Sequence, residues 1–168
     1  VLSDATAELT IMLMLGAARR ASEGERLVRT RQWKDWSPAF MVGTQMTGKR
    51  LGILGMGRVG RVTARRARGF EMEIHYNDLN RLSAKLEEGA IFHPTPEDLM
   101  PHCDFLAIHC VASPETHKLV NAKLIAGLPK GAIVVNTARG GVVDDEALIA
   151  ALKSGHLASA GLDVFDGE

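Results

Sequence analysis

Three glycines, Gly55, Gly57 and Gly60, stand in G-x-G-x-x-G spacing directly after the apolar run 51–54 and just before a helical pattern at 59–68. No other feature constrains the chain as much, because each glycine answers a separate steric demand. The first permits a tight turn, the second lets backbone approach a phosphate, and the third lets helix pack on strand. The free N–H groups of the helix start then favour an anion. Glycine-rich turns also occur simply to close a strand onto a helix, so context decides. Asp78 supplies it: about twenty residues on, at the end of the next apolar run, a carboxylate can accept hydrogen bonds from an adenosine ribose. Strand, loop, helix, strand and acid in that order imply a dinucleotide site, with Arg58 and Val59 at the helix start beside the pyrophosphate.

The remaining chain carries the same rhythm. Apolar residues at 9, 12 and 13, with Gly16, recur at helical spacing and predict an amphipathic helix over 6–20. Residues 21–49 mix charges with Trp33, Trp36, Pro38 and glycines and read as an irregular arm. Strands are expected at 51–54, 72–76, 90–92, 105–109, 133–136 and 160–165, and helices at 59–68, from 82, and at 144–153. Short apolar runs separated by helices mean a parallel sheet covered on both faces. The expected class is α/β, a Rossmann-type doubly wound sheet over 48–168, preceded by a crossover helix and arm over 1–47.

Composition narrows the partners. Twenty basic and twenty acidic side chains leave no net charge, which argues against nucleic acid and anionic membranes as partners. Arg61, Arg65, Arg66 and Arg68 crowd one helix, but residues three and four apart on an exposed face are usually solvated. Cys103 and Cys110 lack CxxC spacing, so neither a zinc site nor a disulfide framework is suggested, and a cytoplasmic protein is expected. No apolar stretch reaches the roughly 18 residues of a membrane span. Six histidines, His75, His93, His102, His109, His117 and His156, show no metal-ligand pattern and read as isolated structural or surface residues.

Three further segments, 110–116 (CVASPET), 135–148 (VNTARGGVVDDEAL) and 160–168 (AGLDVFDGE), join the glycine loop in a resemblance that covers nearly the whole chain. Together they resemble the NAD-binding domain of the D-isomer-specific 2-hydroxyacid dehydrogenases. The resemblance implies NAD as cofactor, a small 2-keto or 2-hydroxy acid as substrate, and a homodimer through the first helix and arm. By the same resemblance, Arg139 grips the substrate carboxylate and reacting carbonyl, and Glu168 pairs with a catalytic histidine. Asp163 receives the nicotinamide carboxamide, Thr137 and Ala138 contact that end of the cofactor, and Cys110 lies at the lip of the adenosine pocket. A guanidinium suits the role of Arg139, since its planar fork binds two oxygens and its charge does not titrate away. Asp163 also sits in an apolar run, where burial without partners would be costly.

Some features depart from the pattern. Val111 stands where many relatives have proline, and all six histidines precede Glu168 whereas the family's catalytic histidine follows it. The substrate domain and that histidine are therefore expected outside these 168 residues, leaving a fragment that binds NAD but turns nothing over. Residues 33–49 resemble the glyoxylate and hydroxypyruvate reductase branch. An NAD(H)-dependent corepressor-like binding module remains an open alternative; formate dehydrogenase is a second rival, but its relatives carry Gln at the position of Glu168, and the Glu favours keto-acid chemistry.

Overall fold

The computed structural model describes residues 2–167, so Glu168 lies outside the described residues. The sheet has six parallel strands: β1 (Arg50–Leu54), β2 (Glu73–Asn77), β3 (Ile91–Phe92), β4 (Phe105–Ile108), β5 (Ala132–Asn136) and β6 (Leu157–Leu162). Their order is β3-β2-β1-β4-β5-β6. The strand order reverses between β1 and β4, which leaves a crevice beyond the carboxyl ends of those two parallel strands, where doubly wound sheets bind ligands.

The helices cover both faces. On one side lie α1 (Leu2–Ala18) and α3 (Arg58–Arg68), and on the other α5 (Pro96–Leu99), α6 (Ala122–Ala126) and α7 (Asp145–Lys153). Each central strand feeds both cores. Phe105 and Ala107 of β4 join Met14 and Ala64 on the first face, while Leu106 and Ile108 join Leu99 and Leu148 on the second. Burial on both faces explains why the strands read as unbroken apolar runs.

Glycine is required at two points between β1 and α3. Gly55 has φ +93°, and a Cβ there would lie 2.6 Å from Cys110 N at the end of β4; at Gly60 a Cβ would lie 2.3 Å from Gly55 O. Helix and strand are thus packed backbone to backbone. A Cβ at Gly57 would meet nothing within 4 Å.

Four expectations need correction. The first helix starts at Leu2, and its buried residues are Ala7, Thr10, Met14 and Ala18, not the 9, 12, 13, 16 stripe; Met12 is 57% exposed. Apolar residues surround most of this helix, and besides the buried set Leu13 lies against Gly161 of β6. The arm is not irregular from its start, since α2 (Ala21–Arg29) is helical, supported by Arg20–Glu23 and Glu25–Arg29 ion pairs despite Gly24. The sixth strand runs Leu157–Leu162, three residues earlier than expected, so Asp163 lies past its end and is exposed rather than buried. The cost of burying an unpartnered carboxylate therefore does not apply to it. Finally, most of the histidines are not isolated: His109 and His156 have hydrogen-bond partners, and three others cluster together. His75, His93 and His102 stack with centroids 4.7–5.2 Å apart. His75 Nε2 donates to Glu73 (2.6 Å), so its Nδ1 accepts from His93 Nε2 (2.9 Å). Burial holds both imidazoles below the ordinary histidine pKa.

Of the short helices α4 (Ala84–Glu87), α5 and α6, the last two are capped by side chains. Asn121 Oδ1 accepts from Lys123 N and Leu124 N at the start of α6 (3.0 and 3.2 Å). Thr95 does the same for Asp98 N at α5 (3.1 Å).

The backbone packing at Gly60 gives a direct test. Gly60→Ala should lower the melting temperature by about 3–10 °C, the consequence of roughly 1–3 kcal/mol of overpacking. Gly57→Ala, with open space around its Cβ, should leave it within about 2 °C. Thermal denaturation of the two variants side by side checks this.

Candidate functional site

The crevice is built outward from β1. Gly55 N donates to Asn77 O (2.9 Å), which ties the loop to the end of β2. Asp78, the next residue, completes the tie: its Oδ2 accepts from Met56 N (2.7 Å) and its Oδ1 from Leu79 N (2.7 Å). The carboxylate is half-buried, so it keeps one edge toward the crevice. At the start of α3, Gly57 is the N-cap and no side chain caps the helix. Its first N–H groups are thus left without the usual side-chain acceptor, and the open space at Gly57 lies where an anion would approach them. Arg58 is exposed at that start and Val59 lines the cavity beside it. These features fit the pyrophosphate and ribose of a dinucleotide.

Leu79 is 97% exposed beside Asp78 and offers no charge. Arg81, the nearest cation in sequence, is engaged elsewhere. Its Nε and Nη2 donate to the buried carboxylate of Glu87 (2.9 and 3.3 Å), which also accepts from the Tyr76 hydroxyl (2.7 Å). Arg81 first, then Tyr76, hold the Glu87 carboxyl below its ordinary range. Of the arginines on α3, Arg66 pairs with Asp4 and Glu8 (2.9 and 3.2 Å) and Arg68 with Glu88 (3.2 Å), so the crowded face is solvated and partly paired.

Along the crevice a cavity of about 360 Å³ opens between α3, the end of β4 and the end of β5. Val59, His109, Cys110, Thr137, Ala138 and Arg139 are among its walls. Burial pushes the Cys110 thiol up and the His109 imidazole down to about 4. The turn after β5 is set by one side chain. Asn136, buried at the strand end, accepts from Ala138 N through Oδ1 (3.0 Å) and donates from Nδ2 to Arg139 O (2.9 Å). That turn leaves the Arg139 side chain exposed at the rim, where Nη1 donates to Ala138 O (2.7 Å).

A second cavity of about 200 Å³ adjoins the first, with Arg139, His117 and Asp166 among its walls. Close packing explains the adjacency, since a Cβ at Gly140 would lie 2.0 Å from the Phe165 backbone. Asp163 N also donates to Asn136 O (3.0 Å). The structure therefore brings Gly55–Gly60, Asp78, Cys110, Thr137, Ala138, Arg139 and Asp163 to the carboxyl edge of one sheet; Glu168 is outside the described residues. Spacing alone assigns no role to Thr6, Thr10 and Thr63, and reads His109 as an isolated structural or surface residue. The only signal for His109 was a ring nitrogen source closing an apolar run next to Cys110. Among the described residues, no group of three His, Cys, Asp or Glu side chains could hold a metal ion.

Comparison with known proteins agrees with this geometry. Residues 11–168 match the family model for the D-isomer specific 2-hydroxyacid dehydrogenase, NAD binding domain. A glycerate dehydrogenase from Hyphomicrobium methylovorum is 48% identical over 166 residues, covering 98% of this chain and 52% of that protein. A glyoxylate reductase from Pyrococcus horikoshii is 42% identical over 173 residues, covering 100% of this chain and 52% of its own length. Among solved structures, a D-isomer specific 2-hydroxyacid dehydrogenase from Polaromonas sp. JS6 66 superposes with TM-score 0.98 at 48% identity, over 99% of this chain and 52% of that one. The chain thus spans about half the length of the curated relatives it matches. On the extent of that family match and on these identities, the chain belongs to the D-isomer-specific 2-hydroxyacid dehydrogenases, of which it carries the NAD-binding domain.

Proposed function

We propose that the whole protein is an NAD-dependent D-2-hydroxyacid dehydrogenase acting on a small 2-keto acid such as glyoxylate or hydroxypyruvate, and that this chain supplies its nucleotide half. The observation that carries the reading is the placement of exposed Arg139 on the same crevice as the Asp78-latched loop and the uncapped start of α3. The names of the glycerate dehydrogenase and glyoxylate reductase relatives support the substrate class.

Within this reading each residue has a task. The N–H groups after Gly57, with Arg58 and Val59, hold the pyrophosphate, while Gly55 and Gly60 let the backbone come close enough for them to do so. Asp78 accepts from the adenosine ribose and would repel a 2′-phosphate. Cys110 borders the adenine, Thr137 and Ala138 border the nicotinamide, and Asp163 takes the carboxamide. NAD(H) supplies the hydride that passes to or from the substrate carbon. Arg139 binds the substrate carboxylate and carbonyl oxygen, where its fixed charge stabilises the alkoxide as it develops. Glu168 pairs with a histidine that delivers a proton to that oxygen, and we place this histidine and the substrate domain in the rest of the polypeptide. The thiols of Cys103 and Cys110 are free, which suits the reducing cytoplasm we propose.

We also propose a two-fold dimer built on the outer face of α1, α2 and the arm. Met12, Val28, Trp36 and Val42 are exposed there, a concentration of apolar surface that a monomer seldom keeps. Sedimentation at micromolar concentration should show a dimer that is lost on deletion of residues 1–48. A strict monomer in the intact protein would contradict the assembly.

One sample tests the catalytic reading and its division of labour. NADH fluorescence titrations on this chain should show binding at least tenfold tighter than NADPH, with Asp78→Ser narrowing the gap. The same chain should then oxidise no NADH with glyoxylate or hydroxypyruvate, because the loss of a positioned acid alone costs typically 10²–10⁴-fold and no closing cleft orients the substrate. The whole protein should reduce one of the two acids. NADH binding without reduction by the whole protein would instead favour the corepressor-like reading.

A further inference from the structure

Beneath the wall of the cavity that holds Val59, Thr137 and Arg139, side chains from four parts of the fold form one hydrogen-bonded chain. Thr10 Oγ1 in α1 lies 2.8 Å from Thr6 O and 2.9 Å from Thr137 Oγ1, which follows β5. Thr137 Oγ1 lies 3.4 Å from Nδ1 of His109, which follows β4, and His109 Nε2 lies 3.1 Å from Thr63 Oγ1 in α3. Thr10 and Thr63 are fully buried and Thr137 nearly so.

One carbonyl fixes every direction in this chain. Thr6 O can only accept, so it takes the single hydroxyl proton of Thr10. Thr10 must then accept from Thr137, whose own proton is thereby committed. Thr137 is left as an acceptor toward the ring, so His109 carries its proton on Nδ1. A neutral imidazole has one N–H, and Nε2 therefore accepts from Thr63. The opposite tautomer would set two donors or two acceptors against each other in a buried place, at the cost of unsatisfied polar groups.

Neutrality follows from the surroundings. Burial alone draws the His109 pKa down to about 4. The charged groups of α1, Asp4 and Glu8, are held by Arg66 of α3. Among the described residues that line the cavity, the ionisable ones besides His109 are Arg139, after β5, and Cys110; neither is a carboxylate that would stabilise an imidazolium.

We infer that His109, as the Nδ1–H tautomer, is a positioning residue for the nicotinamide end of the site: it holds the Thr137 hydroxyl toward α1 and so fixes the turn that carries Ala138 and Arg139. The inference rests on the reading of that cavity as the nicotinamide end. Thr137 and Arg139 are two residues apart on a turn closed by Asn136, so a shift in the first moves the second.

The test separates the hydrogen-bond chain from the cofactor reading. Imidazole ¹⁵N shifts of the protein without cofactor should show His109 as Nδ1–H, with no titration from pH 8 down to about 5. Thr10→Val removes the acceptor for Thr137, which is then free to donate to Nδ1, so the ring should switch to Nε2–H. An Nε2–H or protonated ring in the unsubstituted protein at pH 7 would overturn the proposal. NADH affinity provides the second arm. His109→Asn can place an amide N–H near the Nδ1 position and should keep the Kd within about threefold, whereas His109→Gln reaches only toward Thr63 and should raise it about tenfold or more. Equal affinities for the two folded variants would overturn the positioning role even with the tautomer as expected. An Nδ1–H ring in unsubstituted protein that binds no NADH would sink the cofactor reading, and the positioning role with it.

Discussion

Between β1 and α3 the chain turns where there is no room for a side chain, and the rest of the site depends on that close packing. Gly55 lies against the backbone of Cys110 and Gly60 against the carbonyl of Gly55. These contacts bring the ends of β1 and β4 together at the point where strand order reverses. They also set the start of α3 directly over the crevice. Asp78 reaches across from β2 and receives the N–H groups of Met56 and Leu79, so the loop is held from the neighbouring strand as well as by its own turn. A carboxylate with both oxygens engaged is fixed in place, and a fixed acceptor at the rim can discriminate between a ribose hydroxyl and a phosphate.

The second half of the sheet meets this crevice through a different device. Asn136 closes the turn after β5, and the absence of a side chain at Gly140 lets the segment after β6 lie against it. Arg139 is thereby placed at the rim shared by the two cavities, one toward the glycine loop and one toward Asp166. Cofactor groups and a substrate-binding cation need different surroundings, the former half-enclosed and the latter open. The geometry supplies both within a single crevice. The buried chain from Thr6 to Thr63 ties that rim to α1, the helix whose outer apolar face we assign to the dimer.

The parts of this arrangement set by local chemistry were legible in the sequence. Gly55, Gly57, Gly60 and Asp78 could be placed because turn, close approach and capping demand those residue types at that spacing. Arg139 could be placed because glycines follow it at a strand end and its segment resembles a known family. What depended on distant packing was not legible. The apolar pair Val164 and Phe165 extended the expected sixth strand past its true end at Leu162, since hydrophobicity alone does not mark where pairing stops. Gly24 and the mixed charges hid α2, whose two exposed ion pairs offset only part of the cost of a helical glycine. The face that α1 buries could not be chosen, because apolar residues surround most of the helix. His75, His93 and His102 come from three separate segments, and Thr10, Thr63, His109 and Thr137 from four. No spacing rule connects them, and each alone reads as an ordinary polar residue.

The central claim is that a dinucleotide binds at the reversal of strand order, with its phosphates on the start of α3. Following backbone amide shifts of this chain during an NADH titration tests it residue by residue. The account predicts the largest changes at Gly57, Arg58, Val59 and Leu79, with a second group at Thr137, Ala138 and Arg139, and little change in α6 or α7. Largest changes around α6 and α7, or between α1 and α2, with Arg58 and Val59 unmoved, would contradict it.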